Sequence, residues 1–259
     1  MGFLSDITAE RRRTLERQPL DGSTLLGRAL ALPPTRGFAA ALKARTPAVI
    51  AEVKRASPSA GQIADRDPDE LAAAYAAAGA AAISVLTEPV HFNGSLADLR
   101  SARVACDLPI LRKDFLIHPD EVIQSRAAGA DAVLLIAACL SPNELVAMLA
   151  TARDLGMDTL VETHTDQDLR KALDAEADVI GVNARDLETL EVDVERALEH
   201  LRRIPSDRLA VMESGISSRA QVEAALAAGA SAILVGEALM RADDPGFKIR
   251  ELLGEQASR

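Results

Sequence analysis

Charged or amide side chains stand just inside or after short apolar runs, where a buried strand would normally carry none: Glu52 and Lys54, Glu88, Lys113 and Asp114, Glu162, Asn183 and Arg185, and Glu213. Residues two apart on a strand point the same way, so Glu52 with Lys54, and Asn183 with Arg185, each present both side chains on one face. Viewed alone, Glu52 and Lys54 read equally well as an internal ion pair and as catalytic groups. Arg55, on the other face, reads as a surface or interhelix residue. Within Arg112-Lys113-Asp114-Phe115, Lys113 shares a face with Phe115, and Arg112 and Asp114 take the other. Partial desolvation would lower the Lys113 pKa and suit it to general-acid work. A single inward charge is easily structural. A rim of lysines, carboxylates and an arginine instead suggests acid–base chemistry on an anionic substrate.

Eight apolar runs must position these groups: Val49–Val53, Ala82–Leu86, Pro109–Leu111, Ala132–Ala137, Thr159–Val161, Val179–Val182, Leu209–Met212 and Ala232–Val235. Their starts lie 20 to 33 residues apart, the spacing of strand–helix units. Val133-Leu134-Leu135-Ile136 is continuously apolar, as a parallel strand covered on both faces should be. The pattern predicts an α/β fold, a closed (β/α)8 TIM barrel whose active site lies at the C-terminal strand ends. An open doubly wound sheet uses the same units, but eight of them with one repeated turn favour closure. That turn recurs as Ala77-Ala78-Gly79-Ala80, Ala127-Ala128-Gly129-Ala130 and Ala227-Ala228-Gly229-Ala230, and in a degenerate form without glycine at Ala175-Glu176-Ala177-Asp178. Each reads as a helix end, a glycine C-cap and the start of a strand. Asp67-Pro68-Asp69-Glu70, Ser141-Pro142-Asn143-Glu144 and Ser217-Ser218-Arg219-Ala220-Gln221 read as helix starts. Residues 1–45 precede the first strand as a helical extension broken at Pro19, Pro33-Pro34 and Gly37, placed to cap one end of a barrel. The 259 residues are expected to form a single domain.

The last two strand ends differ from the rest. Glu213-Ser214-Gly215-Ile216 and Val235-Gly236-Glu237-Ala238 each put glycine where the chain turns toward a helix. Loops after strands seven and eight of such barrels bind phosphate through backbone N–H groups and a helix N-terminus. Tight turns alone are the alternative, and Glu237 fits phosphate only through its backbone N–H.

The net charge of −10 argues against a nucleic-acid or anionic-membrane partner and requires that basic residues converge on any anionic substrate. Lys54, Lys113, Arg185 and the glycine turns meet that requirement. Cys106 and Cys139 are the only cysteines and form no CxxC pair, which fits reduced thiols in the cytoplasm. The N-terminus lacks a sustained apolar stretch, so no signal peptide is expected. The uncharged Leu71–Leu86 is too alanine-rich to span a bilayer. GxSxG, GxGxxG and P-loop patterns are absent. His91, His118, His164 and His200 are scattered, and His164, although near Glu162, is a lone imidazole, so no metal is expected.

The segments Ile50-Ala51-Glu52-Val53-Lys54-Arg55-Ala56-Ser57-Pro58-Ser59, Leu111-Arg112-Lys113-Asp114-Phe115, Val161-Glu162, Gly181-Val182-Asn183-Ala184-Arg185-Asp186-Leu187 and Glu213-Ser214-Gly215-Ile216 together resemble the indole-3-glycerol-phosphate synthase family. The resemblance runs in order from about residue 45 to 240, after the expected helical extension. It implies conversion of 1-(2-carboxyphenylamino)-1-deoxyribulose 5-phosphate to indole-3-glycerol phosphate in tryptophan biosynthesis, with loss of carbon dioxide and water and without a cofactor. It implies Lys113 as the acid at the ribulose carbonyl, Glu162 as a base, Lys54 as a positioning group or later proton donor, and Glu52 as their electrostatic partner. Asn183, Arg185, Glu213 and Ser214 would hold the substrate, Phe92 and Phe115 would pack on its ring, and Ser57, Gly215, Gly236 and Glu237 would lie on the phosphate side. Ala60, Ala184 and Glu237 depart from the commonest family pattern, where a lysine, an asparagine and a serine are frequent.

Two other readings stay open at this level. A phosphoribosyl isomerase barrel would need Asp or Cys at strand ends, yet Cys106 precedes its strand and Cys139 lies beyond the fourth. A non-catalytic phosphate or protein binder would not need Lys54, Lys113 and Glu162 together. The chain is expected as a monomer or homodimer.

Overall fold

The computed structural model describes residues 2–57, 61–63 and 66–255. Eight parallel strands close into a barrel: β1 (Ala48–Val53), β2 (Ala82–Leu86), β3 (Ile110–Lys113), β4 (Ala132–Ile136), β5 (Asp158–Thr163), β6 (Val179–Asn183), β7 (Leu209–Glu213) and β8 (Ala232–Val235). Each pairs with the next, and β8 returns to β1 with Ala48 opposite Ala232 and Ala51 opposite Val235. β1, β2, β4, β6, β7 and β8 are buried along their whole length, because side chains fill the barrel inside and helices cover it outside.

Most strands match their apolar runs to within one residue, and two, β3 and β5, differ by more. β3 starts after Pro109 and continues through Arg112 and Lys113. Arg112 is 2% exposed. Its guanidinium donates to Thr87 Oγ1 at 3.0 Å, Ser125 Oγ at 3.0 Å and the Asp114 carboxylate at 2.8 Å. Arg112 and Asp114 form a buried ion pair, although Asp114, expected on the face away from Lys113, also lines the cavity at the barrel mouth. β5 begins at Asp158, whose carboxylate accepts from the Ala39 N–H at 2.9 Å.

The repeated turns share one backbone shape. Gly79, Gly129 and Gly229 have φ of 91°, 100° and 103°, and in the degenerate copy Glu176 takes φ 58°. The left-handed C-cap is therefore kept at all four positions, at a steric cost only where glycine is missing. Ser141 and Ser218 close capping boxes with Glu144 and Gln221. Asp67 precedes its helix without a side-chain cap.

The extension forms α1 (Phe3–Arg17), α2 (Gly22–Leu30) and α3 (Phe38–Lys43), and it reaches both ends of the barrel rather than capping one. α1 lies at the C-terminal mouth, where the Arg11 Nε donates to Glu121 at 2.7 Å and Thr8 Oγ1 donates to Cys139 Sγ at 3.4 Å. At the opposite end the Arg36 N–H donates to Asp131 at 2.9 Å and its guanidinium to the carbonyls of Cys106 and Leu108. Leu4 and Phe38 join the same hydrophobic cluster as the strands. Cys106 and Cys139 are free thiols. Among the described residues, no helix is long and apolar enough to cross a membrane.

Candidate active site

The polar strand ends open into one cavity at the C-terminal mouth. Glu52, Lys54, Phe92, Lys113, Phe115, Glu162, Asn183, Arg185, Glu213, Ser214, Gly215, Gly236 and Glu237 all line it. The Ser57 backbone pairs with Gly61 in a short antiparallel ladder, and its side chain lies outside the described residues, as do Pro58, Ser59 and Ala60.

Lys113 stands at the centre. Its Nζ donates to Glu162 Oε2 and to Glu213 Oε2, both at 3.2 Å. The expected lowering of its pKa is overturned. Burial alone would lower it, but Glu162, Glu213 and Glu52 outweigh that and hold the lysine above its ordinary value. Burial, reinforced by Glu162 and Glu52, pushes Glu213 above the usual carboxylate range although Lys113 opposes the shift. The lowered lysine is Lys54. Burial first, then the like charges of Lys113 and Arg185, outweigh the pull of Glu52. Lys54 Nζ lies 3.8 Å from Glu52 Oε1 and 5.6 Å from the Phe92 ring centroid. The two lysines are thus opposites: neighbouring carboxylates raise the pKa of one, and burial lowers that of the other.

Backbone geometry aims the groups from β6 and β7. Ser214 and Gly215 have φ of 64° and 74°. The left-handed conformation of Ser214 is supported by its hydroxyl, which donates to Asn183 Oδ1 at 2.8 Å. The same oxygen accepts from the Arg185 N–H at 3.0 Å. Arg185 Nη1 donates to the Leu190 carbonyl at 3.0 Å, and Nη2 lies 3.6 Å from Glu237 Oε2. Glycine is required at two places where carboxylates pass close to backbone. A Cβ on Gly181 would overlap Glu213 Oε1, and one on Gly236 would overlap Glu52 Oε1. Gly236 caps the short helix Glu237–Met240.

An aromatic wall faces the lysines. Phe115 packs 6.1 Å from Phe92 and 6.3 Å from Phe3 between ring centroids. Phe3 escaped the sequence reading because it belongs to the extension and follows no strand-end pattern. Glu88 was visible as a polar ending to the second run, but its purpose was not. Its carboxylate is 6% exposed and accepts from the N–H groups of Val90, His91 and Phe92, which fixes the turn that carries the Phe92 ring. Leu134 and Ile136 of β4 complete the wall. Arg55, which follows β1, pairs with Asp98 of the helix after β2 at 2.8 Å.

The chain matches the family model described as indole-3-glycerol phosphate synthase over residues 4–252. It is 46% identical over 260 residues to indole-3-glycerol phosphate synthase 2 of Streptomyces coelicolor, with 98% of this chain and 99% of that protein covered. It is 48% identical over 257 residues to indole-3-glycerol phosphate synthase of Acidithiobacillus ferrooxidans, with 96% and 98% covered. Among solved structures, a 3-hexulose-6-phosphate synthase superposes with a TM-score of 0.63 over 81% of this chain and 100% of that one, at 17% identity, a likeness of fold alone. With its barrel, its lysine–carboxylate mouth and these near full-length matches, the chain belongs to the indole-3-glycerol phosphate synthase family.

Proposed function

We propose that this protein closes the indole ring of indole-3-glycerol phosphate, releasing carbon dioxide and water from 1-(2-carboxyphenylamino)-1-deoxyribulose 5-phosphate in tryptophan biosynthesis. The observation that carries the assignment of roles is Lys113, held protonated between Glu162 and Glu213 at 3.2 Å from each, opposite a phenylalanine wall. In the first step the aromatic carbon bearing the carboxylate bonds to the ribulose carbonyl carbon, and the carbonyl oxygen takes a proton from the Lys113 ammonium. A charged donor already aimed at the developing alkoxide needs no reorganisation. Carbon dioxide then leaves, and its bonding electrons restore the aromatic ring. In the last step the new hydroxyl departs as water while a base removes a proton to form the indole double bond. Glu162 is the base, and Lys54, whose proton is loosened by burial, is the donor to the departing hydroxyl.

Phe3, Phe92 and Phe115 receive the aromatic ring, while Asn183, Arg185 and Ser214 hold the sugar-phosphate portion. Glu213, expected among the substrate-holding groups, is 1% exposed and turned to Lys113. Its carboxyl oxygen accepts from the Lys113 ammonium and holds it in place, while Glu162 and Glu52 supply the charge that keeps the lysine protonated. Phosphate binds the N–H groups of Gly215, Gly236 and Glu237. The Glu237 carboxylate is already paired with Arg241 at 3.0 Å. The free thiols support a cytoplasmic enzyme, and the net charge of −10 supports one that works without nucleic acid. Purified protein mixed with the substrate should develop indole fluorescence. Absence of product at micromolar enzyme overturns the reaction.

A further inference from the structure

The loop after β6 carries Arg185, Leu187 and Leu190 into the active cavity, and it is held in a strained shape. Leu190 has φ 64°, which costs a side chain of this kind about 1–3 kcal/mol and persists only where the surroundings over-determine it. The Leu190 N–H donates to the Asp186 carbonyl at 2.8 Å, and Asp186 Oδ1 accepts from the N–H groups of Glu188 at 2.7 Å and Thr189 at 3.0 Å. Asp186 is therefore the hub of the loop, and what holds it comes from another strand. His164, two residues after Glu162, places Nε2 3.1 Å from Asp186 Oδ2 and Nδ1 3.0 Å from the Asn183 carbonyl. Arg196, on the helix Val194–Leu201, donates to the His164 carbonyl at 3.0 Å and approaches Nε2 at 2.6 Å. The imidazole thus touches the start of the loop, its hub and the helix that follows, yet it does not line the active cavity.

We infer that His164 is a positioning residue for the reaction, a clasp between β5 and the β6 loop that sets where Arg185 and Leu190 meet the substrate. This rests on the proposed role of Arg185 in holding the substrate. The clasp connects two functional strand ends: β5 presents Glu162 inward and, two residues later, fixes the loop that carries the substrate-binding arginine. A residue that only stabilises the fold would change the melting temperature. A positioning residue also changes substrate binding selectively, and a side chain that restores its hydrogen bonds restores it.

The test compares wild type with His164→Ala, His164→Gln and Asp186→Asn in steady-state kinetics with the carboxyphenylamino ribulose phosphate. His164→Ala should raise KM about tenfold while kcat stays within about twofold, the signature of lost binding rather than lost chemistry. His164→Gln, whose amide both donates and accepts, should recover most of the KM. Asp186→Asn, which weakens the same link from the other side, should raise KM in the same direction. Unchanged KM in His164→Ala or Asp186→Asn, a fall confined to kcat, or a glutamine variant as impaired as the alanine variant overturns the inference. Amide exchange of residues 184–191 reads the clasp without turnover. Faster exchange in His164→Ala is expected, and unchanged exchange overturns the clasp. Wild type that forms no indole sinks the assigned reaction alone.

Discussion

Lys113 Nζ and Glu213 Oε2 meet at 3.2 Å across the barrel mouth, brought together from β3 and β7 although 100 residues separate them in the chain. Each shifts the other's protonation, and both face a single cavity. Lys113→Ala should lower kcat by about 10²–10⁴-fold with substrate binding retained, the range for loss of a positioned acid. Near-normal turnover in that variant would place the acid elsewhere.

Glu213 also gives stability a pH signature. Its folded pKa lies above the ordinary carboxylate value, so the folded state holds this proton more tightly than the unfolded chain does. The resulting stability is fully present below the unfolded pKa and is lost as pH rises through the raised folded value. Lys113 is raised too, and its contribution fades only beyond the ordinary lysine range. Between about pH 5 and pH 9, wild-type Tm should fall on the alkaline side while Glu213→Gln, which cannot ionise, shows a flatter profile. Parallel profiles for the two proteins contradict the assignment.

Lys54 has the opposite character. Burial lowers its pKa, and Glu52 is the main group raising it. If Lys54 donates the late proton, kcat should decline with pH earlier than an ordinary lysine would dictate. Glu52→Gln removes the supporting charge and should move that decline to still lower pH. An alkaline limb that stays in place in Glu52→Gln removes Lys54 from the proton-donating role.

Gly181 lies in the interior of β6, against the Glu213 carboxylate. Gly181→Ala should destabilise the fold by about 1–3 kcal/mol through overpacking. It should also displace Glu213 from Lys113 and lower kcat by about 10²-fold, as misplacement of a catalytic constellation does. Denaturant unfolding and kinetics on one preparation check both outcomes, and full activity would show that Glu213 need not touch the lysine.

Glu88 holds the Phe92 turn by accepting three backbone N–H groups. Glu88→Ala should cost about 1.5–3 kcal/mol, the range for hydrogen bonds to a charged group. It should also raise KM by releasing the ring that packs over Lys54. An unchanged KM would mean that the ring is not part of the binding surface.

Much of this site is legible in the chain because parallel strands buried on both faces admit few charges. Lys54, Lys113, Glu162, Arg185 and Glu213 stand out against apolar runs, and a (β/α)8 closure sends all of them to one rim. The two-residue spacing of Glu52 with Lys54, and of Asn183 with Arg185, states their common direction. Glycine in the turns announces left-handed caps, and the structure keeps that shape even where Glu176 replaces it. What strand spacing cannot carry is contact between distant segments. Phe3 reaches the cavity only because α1 folds back over the mouth, and the segment around Arg36 and Phe38 seals the opposite end.

The sequence by itself determined which residue types the strand ends carry, and so the kind of chemistry the rim performs. Only the tertiary structure decided the direction in which each lysine's pKa moves. A pKa depends on burial and on which charges stand within a few ångströms, and the strand-end pattern of Lys113 alone suggested a lowered value. Three carboxylates around Lys113, converging from β1, β5 and β7, reverse that, while Lys54 becomes the weakened ammonium. Charge was written in the chain, and its environment was set by the closing of the barrel.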